Sequence, residues 1–153
     1  MVLNTQSLKC MFSSVKLDYS TPQGVFDQLD KEFHFNLDAC ANEQNHKVST
    51  WLEGNNGLNM EWCLHYEGKI KGRVFCNPPY GREIGKWIKK GYEEFIKGET
   101  AELIVFLIPS RTDTKWWHEY IMKATEIRFV KGRISFDGKN SAPFPSCIAI
   151  FKR

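Results

Sequence analysis

The sequence predicts a single α/β domain whose sheet is mostly parallel and carries helices on both faces. Segments with apolar residues at helical spacing alternate with short apolar segments along the 153-residue chain. Strands that alternate with helices form largely parallel sheets. Residues 102–108 (Glu-Leu-Ile-Val-Phe-Leu-Ile) form a nearly unbroken apolar run, which a strand covered on both faces requires. No internal repeat or linker divides the chain, so one domain is expected.

The composition excludes several classes of protein. The hydrophobic fraction of 42% and the charged fraction of 25% are those of an ordinary globular protein. No apolar run approaches the roughly 20 residues of a membrane helix, and the first residues lack the features of a secretion signal. A cytoplasmic protein is therefore expected. The net charge of +3 is compatible with an anionic partner but does not require one.

Five cysteines are scattered along the chain without a Cys-x-x-Cys pair. In a cytoplasmic protein this pattern indicates free thiols. Cys63 and His65 lie near each other in sequence, but two ligands do not make a tetrahedral zinc site. We therefore expect no metal site.

The amino-terminal part is expected to contain a loose lead-in, a helix and a strand. Residues 1–18 are the polar lead-in, and the domain proper is expected over residues 19–153. Thr21 is suited to be the N-cap of a helix with Pro22 at its first position. Apolar residues recur at helical spacing in that helix: Val25, Phe26, Leu29 and Phe33. Residues 33–37 alternate like a strand and run into a tight loop at 38–41.

The rest of the chain supplies the other elements. Residues 42–72 are rich in Asn, Gly and charged residues, and no long helix or strand is predicted there. Residues 73–76 are expected to form a short strand, and residues 82–97 a helix. The buried stripe of this helix is expected to be Ile84, Trp87, Ile88 and Phe95. After the apolar strand, a helix and two strands are predicted at 113–124, 126–130 and 147–151.

The most informative segment is Asn77-Pro78-Pro79-Tyr80, directly after a strand. Its two prolines fix two φ angles and make it a rigid bracket, and open α/β sheets bind ligands beyond the carboxyl ends of their strands. The Asn77 side-chain oxygen and the Pro78 carbonyl are suited to accept the two hydrogens of a planar amino group. Their donation frees the nitrogen lone pair for attack on a methyl electrophile. Tyr80 supplies an aromatic face for a base flipped out of its helix. A plain loop is the alternative, but the position between a strand and a helix favours function.

This tetrapeptide is the catalytic motif of amino-directed methyltransferases, and the chain resembles the phage DNA N6-adenine methyltransferase family from Ser13 to Phe151. The matching segments are Asp18–Pro22 with Phe26 and Leu29, Phe35–Ala41, Leu58 with Trp62, Asn77–Tyr80, Gly132–Phe136 and Ala142–Ser146. Glutamine and RNA amino methyltransferases share the tetrapeptide alone. The combination with the Thr-Pro opening and the Gly-Arg-Ile-x-Phe segment is more specific.

The resemblance implies a reduced, Rossmann-like class I methyltransferase fold that uses S-adenosylmethionine to methylate the N6 amino group of adenine in double-stranded DNA. It implies catalytic roles for Asn77, Pro78, Pro79 and Tyr80. It also implies that the cofactor site is lined from the amino-terminal side by Tyr19, Ser20, Thr21 and Pro22. The first cofactor loop would be Leu37, Asp38, Ala39 and Cys40, with Asp38 near the methionine or ribose end.

The chain departs from the general methyltransferase pattern around the cofactor. It has no Gly-x-Gly-x-Gly loop after its first strand, and no clear second strand ends in an acidic residue that could hold the ribose hydroxyls. Asn56 is the candidate for recognition of the cofactor adenine, in the segment Asn55–Leu58.

DNA contacts are expected from loops, because only 39 residues (77 − 38) separate the two motifs and leave no room for a recognition domain between them. The candidate segments are 110–118 and 131–140, which mix cations with aromatic or amide side chains. The candidate contact residues are Arg111, Lys115, Trp116, Lys131 and Arg133. At least one of Trp116 and Trp117 is expected to pack on the sheet.

Two alternatives remain open at this point. One is methylation of a protein glutamine or of an RNA base, since the same two acceptors suit any planar amide or amine. The other is a module that binds S-adenosylmethionine or DNA without catalysis. A monomer or a weak dimer is expected.

Overall fold

The computed structural model describes residues 19–153, so the predicted lead-in at 1–18 lies outside the described residues. The helices are α1 (Gln23–Phe33), α2 (Asn56–Asn59), α3 (Ile84–Lys97) and α4 (Lys115–Glu119), with a 3₁₀ turn at Ile121–Lys123. The strands are β1 (Leu37–Ala41), β2 (Trp51–Glu53), β3 (Cys63–His65), β4 (Lys69–Cys76), β5 (Ala101–Pro109), β6 (Glu126–Phe129) and β7 (Ser146–Lys152).

The strands form one sheet of the predicted kind. Its order is β2-β1-β4-β5-β7-β6, with β3 paired to β4 off this path. Strands β2, β1, β4 and β5 are parallel to one another, whereas β7 runs antiparallel to both of its neighbours, and β3 antiparallel to β4. The central order 2-1-4-5 is that of a doubly wound Rossmann-type sheet. The expected reduced, Rossmann-like fold is confirmed.

Helices cover both faces of the sheet, as expected. Apolar residues of α1 pack on one face, while α3 and α4 pack on the other. Strand β5 lies between the two layers and alternates between them. Its side chains in the α3 layer are Ile104, Phe106 and Ile108, and those in the α1 layer are Leu103, Val105 and Leu107. Burial on both faces explains why this strand is apolar without interruption from Leu103 to Pro109.

The first strand was predicted at the wrong position in the sequence. Helix α1 continues through Phe33, His34 ends it in the left-handed conformation (φ 52°), and β1 covers Leu37–Ala41, where a loop was expected. Phe35 is buried with the α1 residues although it lies outside any strand. The polar Asp38 suggested a loop, yet it is only 3% exposed within β1.

Several boundaries also differ. Thr21 is not the N-cap: Pro22 holds that position, without a side-chain cap, and α1 begins at Gln23. The helix predicted over 113–124 is shorter and broken, because α4 ends at Glu119 and a separate 3₁₀ turn follows. Strand β4 begins at Lys69 rather than at residue 73, and α3 begins at Ile84 rather than at residue 82.

Glu94 is the last buried residue of α3, near its carboxyl end, whereas Phe95 of the predicted stripe is only half-buried. The Glu94 carboxylate accepts hydrogen bonds from the Trp62 backbone amide (3.1 Å) and from Lys90 Nζ (2.7 Å). Burial raises the pKa of Glu94, but these hydrogen bonds outweigh it and lower the pKa to about 2. Glu94 therefore stays ionised and fixes the chain at Trp62, just before β3.

Candidate active site

A cavity of about 380 Å³ opens at the carboxyl ends of β1, β2 and β4. Connections leave β1 and β4 toward opposite sides of the sheet, so this is the switch point at which doubly wound sheets bind ligands. Its volume is within the range of small-molecule sites. The lining residues are Tyr19, Ser20, Thr21, Asp38, Cys40, Ala41, Asn42, Asn45, Lys47, Glu53, Gly54, Phe75, Asn77, Pro78, Pro79 and Tyr80.

The cavity brings together most of the residues selected from the sequence. All four residues of the bracket line it, together with Tyr19, Ser20, Thr21, Asp38 and Cys40. The other four candidates lie elsewhere. Leu37 and Ala39 are buried in the core, Pro22 caps α1, and Asn56 is exposed at the start of α2.

The Asn77 side chain is held by the segment that precedes α1. Its Nδ2 donates to the Tyr19 carbonyl (2.5 Å) and to Thr21 Oγ1 (3.0 Å). Its Oδ1 is buried and has no hydrogen-bond partner within residues 19–153. A buried acceptor without a partner is costly, so this oxygen is available to a hydrogen-bond donor that enters the cavity.

Tyr80 lies in an aromatic cluster that joins distant parts of the chain. Tyr19 stacks on Tyr80 with ring centroids 5.2 Å apart, and Phe144 and Phe136 contact the ring at 5.4 Å and 6.2 Å. The Tyr80 hydroxyl donates to the Leu107 carbonyl (3.0 Å). Tyr80 is only 6% exposed, so a base that stacks on it has to displace a neighbouring ring.

Asp38 ties β1 to the loop that follows it. Its carboxylate accepts hydrogen bonds from the backbone amides of Cys40 (3.3 Å) and Lys47 (3.1 Å). Burial raises the pKa of Asp38 to about 6, although these two amides partly oppose the shift. The carboxylate is thus a partly protonated acceptor at neutral to mildly acidic pH.

An acidic residue at the end of a second strand was not predicted from the sequence. Strand β2 runs parallel to β1 and ends at Glu53, and both Glu53 and the following Gly54 line the cavity. The strand is three residues long and only half-buried, so no apolar run marks it. Its Trp51 stacks on His46 at 3.9 Å, a contact that sequence spacing does not reveal. Asn56, the sequence-based candidate for this region, is not part of the cavity.

A family model described as DNA N-6-adenine-methyltransferase (Dam) matches residues 11–147. The chain belongs to this family. It is 29% identical over 120 residues to a DNA N-6-adenine-methyltransferase of Escherichia phage T1, and this match covers 78% of the chain and 47% of the relative. It is 28% identical over 122 residues to the protein of the same name from Haemophilus phage HP1, over 77% of the chain and 65% of the relative. The chain thus spans about half to two thirds of the length of these relatives.

In this family member the candidate DNA-contacting loops flank the aromatic cluster. Arg111 is exposed and close enough for its charge to act on Tyr19 and Tyr80, lowering their pKa values against the larger effect of burial, which raises them. Lys131 and Arg133 are exposed, and Arg133 donates to the Ala142 carbonyl in the loop that carries Phe144. Lys115 is exposed beside Glu119.

Of Trp116 and Trp117, Trp117 packs in the core at 3% exposure, so the expectation that at least one of them does so is confirmed. Trp116 is half-buried, against Gly85.

The cysteines near the cavity are not activated as nucleophiles. Burial raises the pKa of Cys40 to about 12 and raises that of Cys76 well above its ordinary value. Reactive cysteines require the opposite shift. Within residues 19–153, no helix has both the length and the apolar character needed to cross a membrane.

Proposed function

We propose that this chain transfers a methyl group from S-adenosylmethionine to the N6 amino group of adenine in double-stranded DNA. The observation that carries the proposal is the buried, partnerless Oδ1 of Asn77 at the end of β4, beside the cavity, in a member of the DNA N-6-adenine-methyltransferase family. An amino group would supply the hydrogen-bond donor that this oxygen lacks.

The cavity suits the proposed cofactor in charge and hydrogen-bonding capacity. S-adenosylmethionine carries a cationic amine, a sulfonium centre and ribose hydroxyls, all of which favour anionic or acceptor groups. Two carboxylates, Asp38 and Glu53, line the cavity at the ends of neighbouring strands. We assign the ribose hydroxyls to Glu53 and the methionine end to Asp38. When bound, the cofactor supplies the methyl group as an electrophile.

The bracket would act on the amino group. Asn77 Oδ1 and the Pro78 carbonyl each accept a hydrogen bond from one amino N–H. The two hydrogen bonds draw the nitrogen toward sp³ geometry and expose its lone pair. Both acceptors are restricted before substrate binds, Asn77 by its two side-chain hydrogen bonds and the Pro78 carbonyl by the Pro78 ring together with the proline that follows it. Preorganised acceptors of this kind lower the barrier because they need no rearrangement during the reaction.

Adenine has to leave the duplex to reach Asn77, and Tyr80 is placed to receive it. We propose that the base takes the place of the Tyr19 ring against Tyr80, a stack worth roughly 1–3 kcal/mol. Because the Tyr19–Tyr80 stack, worth about 0.5–1.5 kcal/mol, is lost in the exchange, the new stack offsets only part of the few kcal/mol that base flipping costs. Arg111, Lys131 and Arg133 would contact the DNA backbone beside the flipped base. Lys115 and Trp116, at the start of α4, would contact the DNA farther from that base.

Glu53→Gln is expected to weaken S-adenosylmethionine binding by about two- to tenfold, since it replaces an ionised acceptor of the ribose hydroxyls by a weaker one. Isothermal calorimetry on the folded variant measures this. Glu43→Gln is the matched control, because Glu43 is exposed nearby but does not line the cavity. Equal affinities for the Glu53 and Glu43 variants would remove Glu53 from the cofactor site.

The macromolecule that is methylated distinguishes this proposal from its alternatives. Purified protein is incubated with labelled S-adenosylmethionine and, separately, with unmethylated DNA, RNA or a cell lysate. We expect label in DNA. Label confined to RNA or protein would support the other amino methyltransferases, and cofactor binding without transfer would support a non-catalytic module.

A further inference from the structure

A second cluster of chemically active side chains lies on the β3–β4 hairpin and takes no part in the cavity. Cys63 and His65 are separated by one residue in the sequence, and the fold adds Glu61 as a third group. Cys63 Sγ lies 3.5 Å from His65 Nε2 and 3.7 Å from Glu61 Oε2, and Nε2 and Oε2 are 3.7 Å apart. Cys63 and His65 alternate within β3, so their side chains project from the same face of the strand, and Glu61 lies in the segment just before it.

These distances match the edges of a tetrahedral metal site. Zinc binds Cys sulfur at about 2.3 Å and His nitrogen or carboxylate oxygen at about 2.0–2.2 Å, so ligand atoms around a tetrahedral centre lie about 3.3–3.6 Å from one another. The three observed separations of 3.5, 3.7 and 3.7 Å require little movement to meet this condition.

The arrangement does not suit a catalytic triad. In a triad the nucleophile and the acid bind opposite nitrogens of the imidazole. Here the sulfur and the carboxylate oxygen both approach the same nitrogen, Nε2 of His65. Three donor atoms that converge in this way share a common centre, as metal ligands do.

The backbone holds these ligands in place before an ion arrives. Trp62 stands between Glu61 and Cys63 and is fully buried, with its amide bonded to Glu94 and its indole nitrogen bonded to the Gly57 carbonyl. Cross-strand pairs with β4 fix Cys63 and His65. Lys69 Nζ lies 3.3 Å from Glu61 Oε2, but this lysine is 38% exposed and can turn to solvent when a cation replaces it.

We propose that Glu61, Cys63 and His65 bind a zinc ion, with a fourth, open position for water. A thiolate, an imidazole and a carboxylate together favour zinc over the hard cations magnesium and calcium. The bound ion cross-links the strand to the turn before it and stabilises the hairpin. The site lies outside the cavity, so it is independent of the proposed methyl transfer.

The test uses the full chain, reduced with a non-chelating agent, and Zn²⁺ or Co²⁺ alone. We expect one ion per chain, a rise in melting temperature with added Zn²⁺, and a Co²⁺ absorption spectrum typical of tetrahedral thiolate coordination. His65→Asn and Glu61→Gln should each weaken binding at least about tenfold, the scale seen even for outer-sphere partners.

His34→Asn and Glu67→Gln are the matched controls, because both residues are exposed and outside the cluster. His34 has a left-handed backbone that Asn tolerates. The controls should bind zinc as the unmodified chain does. Absence of zinc binding, or equal binding by the His65 and His34 variants, would overturn the proposal.

Discussion

Asn77→Ala is expected to lower kcat for methyl transfer by about 100-fold or more while cofactor affinity stays within a few-fold. The substitution deletes the buried Oδ1 that has no partner in residues 19–153. This oxygen is proposed to act most strongly when the amino nitrogen leaves planarity, so its loss is felt in the transition state. Single-turnover rates and cofactor titrations on the same preparation measure the two effects separately.

Asn77 also has a structural role that a control has to separate from catalysis. Its Nδ2 donates to Thr21 Oγ1 and to the Tyr19 carbonyl. Thr21→Val removes the hydroxyl partner and leaves Oδ1 in place, so it should lower the rate less than tenfold, about the effect of one neutral hydrogen bond. If Thr21→Val lost as much rate as Asn77→Ala, the effect of Asn77 would be positional. A fully active but less stable Asn77→Ala protein would contradict the mechanism.

Cofactor affinity is expected to fall about tenfold between pH 8 and pH 5, because the pKa of Asp38 is raised to about 6. The ionised carboxylate is the form that attracts the cationic end of the cofactor, and it is lost as the pH falls through 6. The same raised pKa affects the stability of the fold in the opposite direction. A raised carboxyl pKa favours the folded state at low pH, and that contribution is lost as the pH rises through about 6. Affinity therefore has to be measured on protein verified to be folded at each pH.

Asp38→Asn is expected to remove this pH dependence and to weaken binding at pH 8 by about 10- to 100-fold, as the loss of a charged hydrogen-bond partner does. Calorimetric titrations of both proteins at pH 5, 6, 7 and 8 test this. A variant that retained the same inflection near pH 6 would show that another group titrates and that Asp38 does not contact the cofactor.

The features that could be predicted from sequence depend on local or repetitive signals. Strand β5 is apolar from Leu103 to Pro109 because both faces are covered, and the two prolines after β4 define a rigid bracket wherever they occur. The position of Asn77-Pro78-Pro79-Tyr80 at the end of a strand was therefore correctly predicted.

The features that were missed depend on contacts between distant residues. Asp38 can lie in a buried strand because its carboxylate accepts hydrogen bonds from the backbone amides of Cys40 and Lys47. Thr21 looks like a helix cap, but its hydroxyl pairs with Asn77, 56 residues away. Strand β2 is stabilised by pairing with β1 rather than by its own composition, so Glu53 carried no signal in the sequence.

The central claim is that the amino group of adenine in DNA receives the methyl group, and the most direct measurement is the identity of the methylated nucleoside. Unmethylated duplex DNA is incubated with the protein and S-adenosylmethionine, digested to nucleosides and analysed by mass spectrometry, with Asn77→Ala as the control. We predict N6-methyladenine with the unmodified chain and at least about 100-fold slower formation with the variant. Methylcytosine as the product, or no methylated nucleoside from protein that binds the cofactor, would contradict the account.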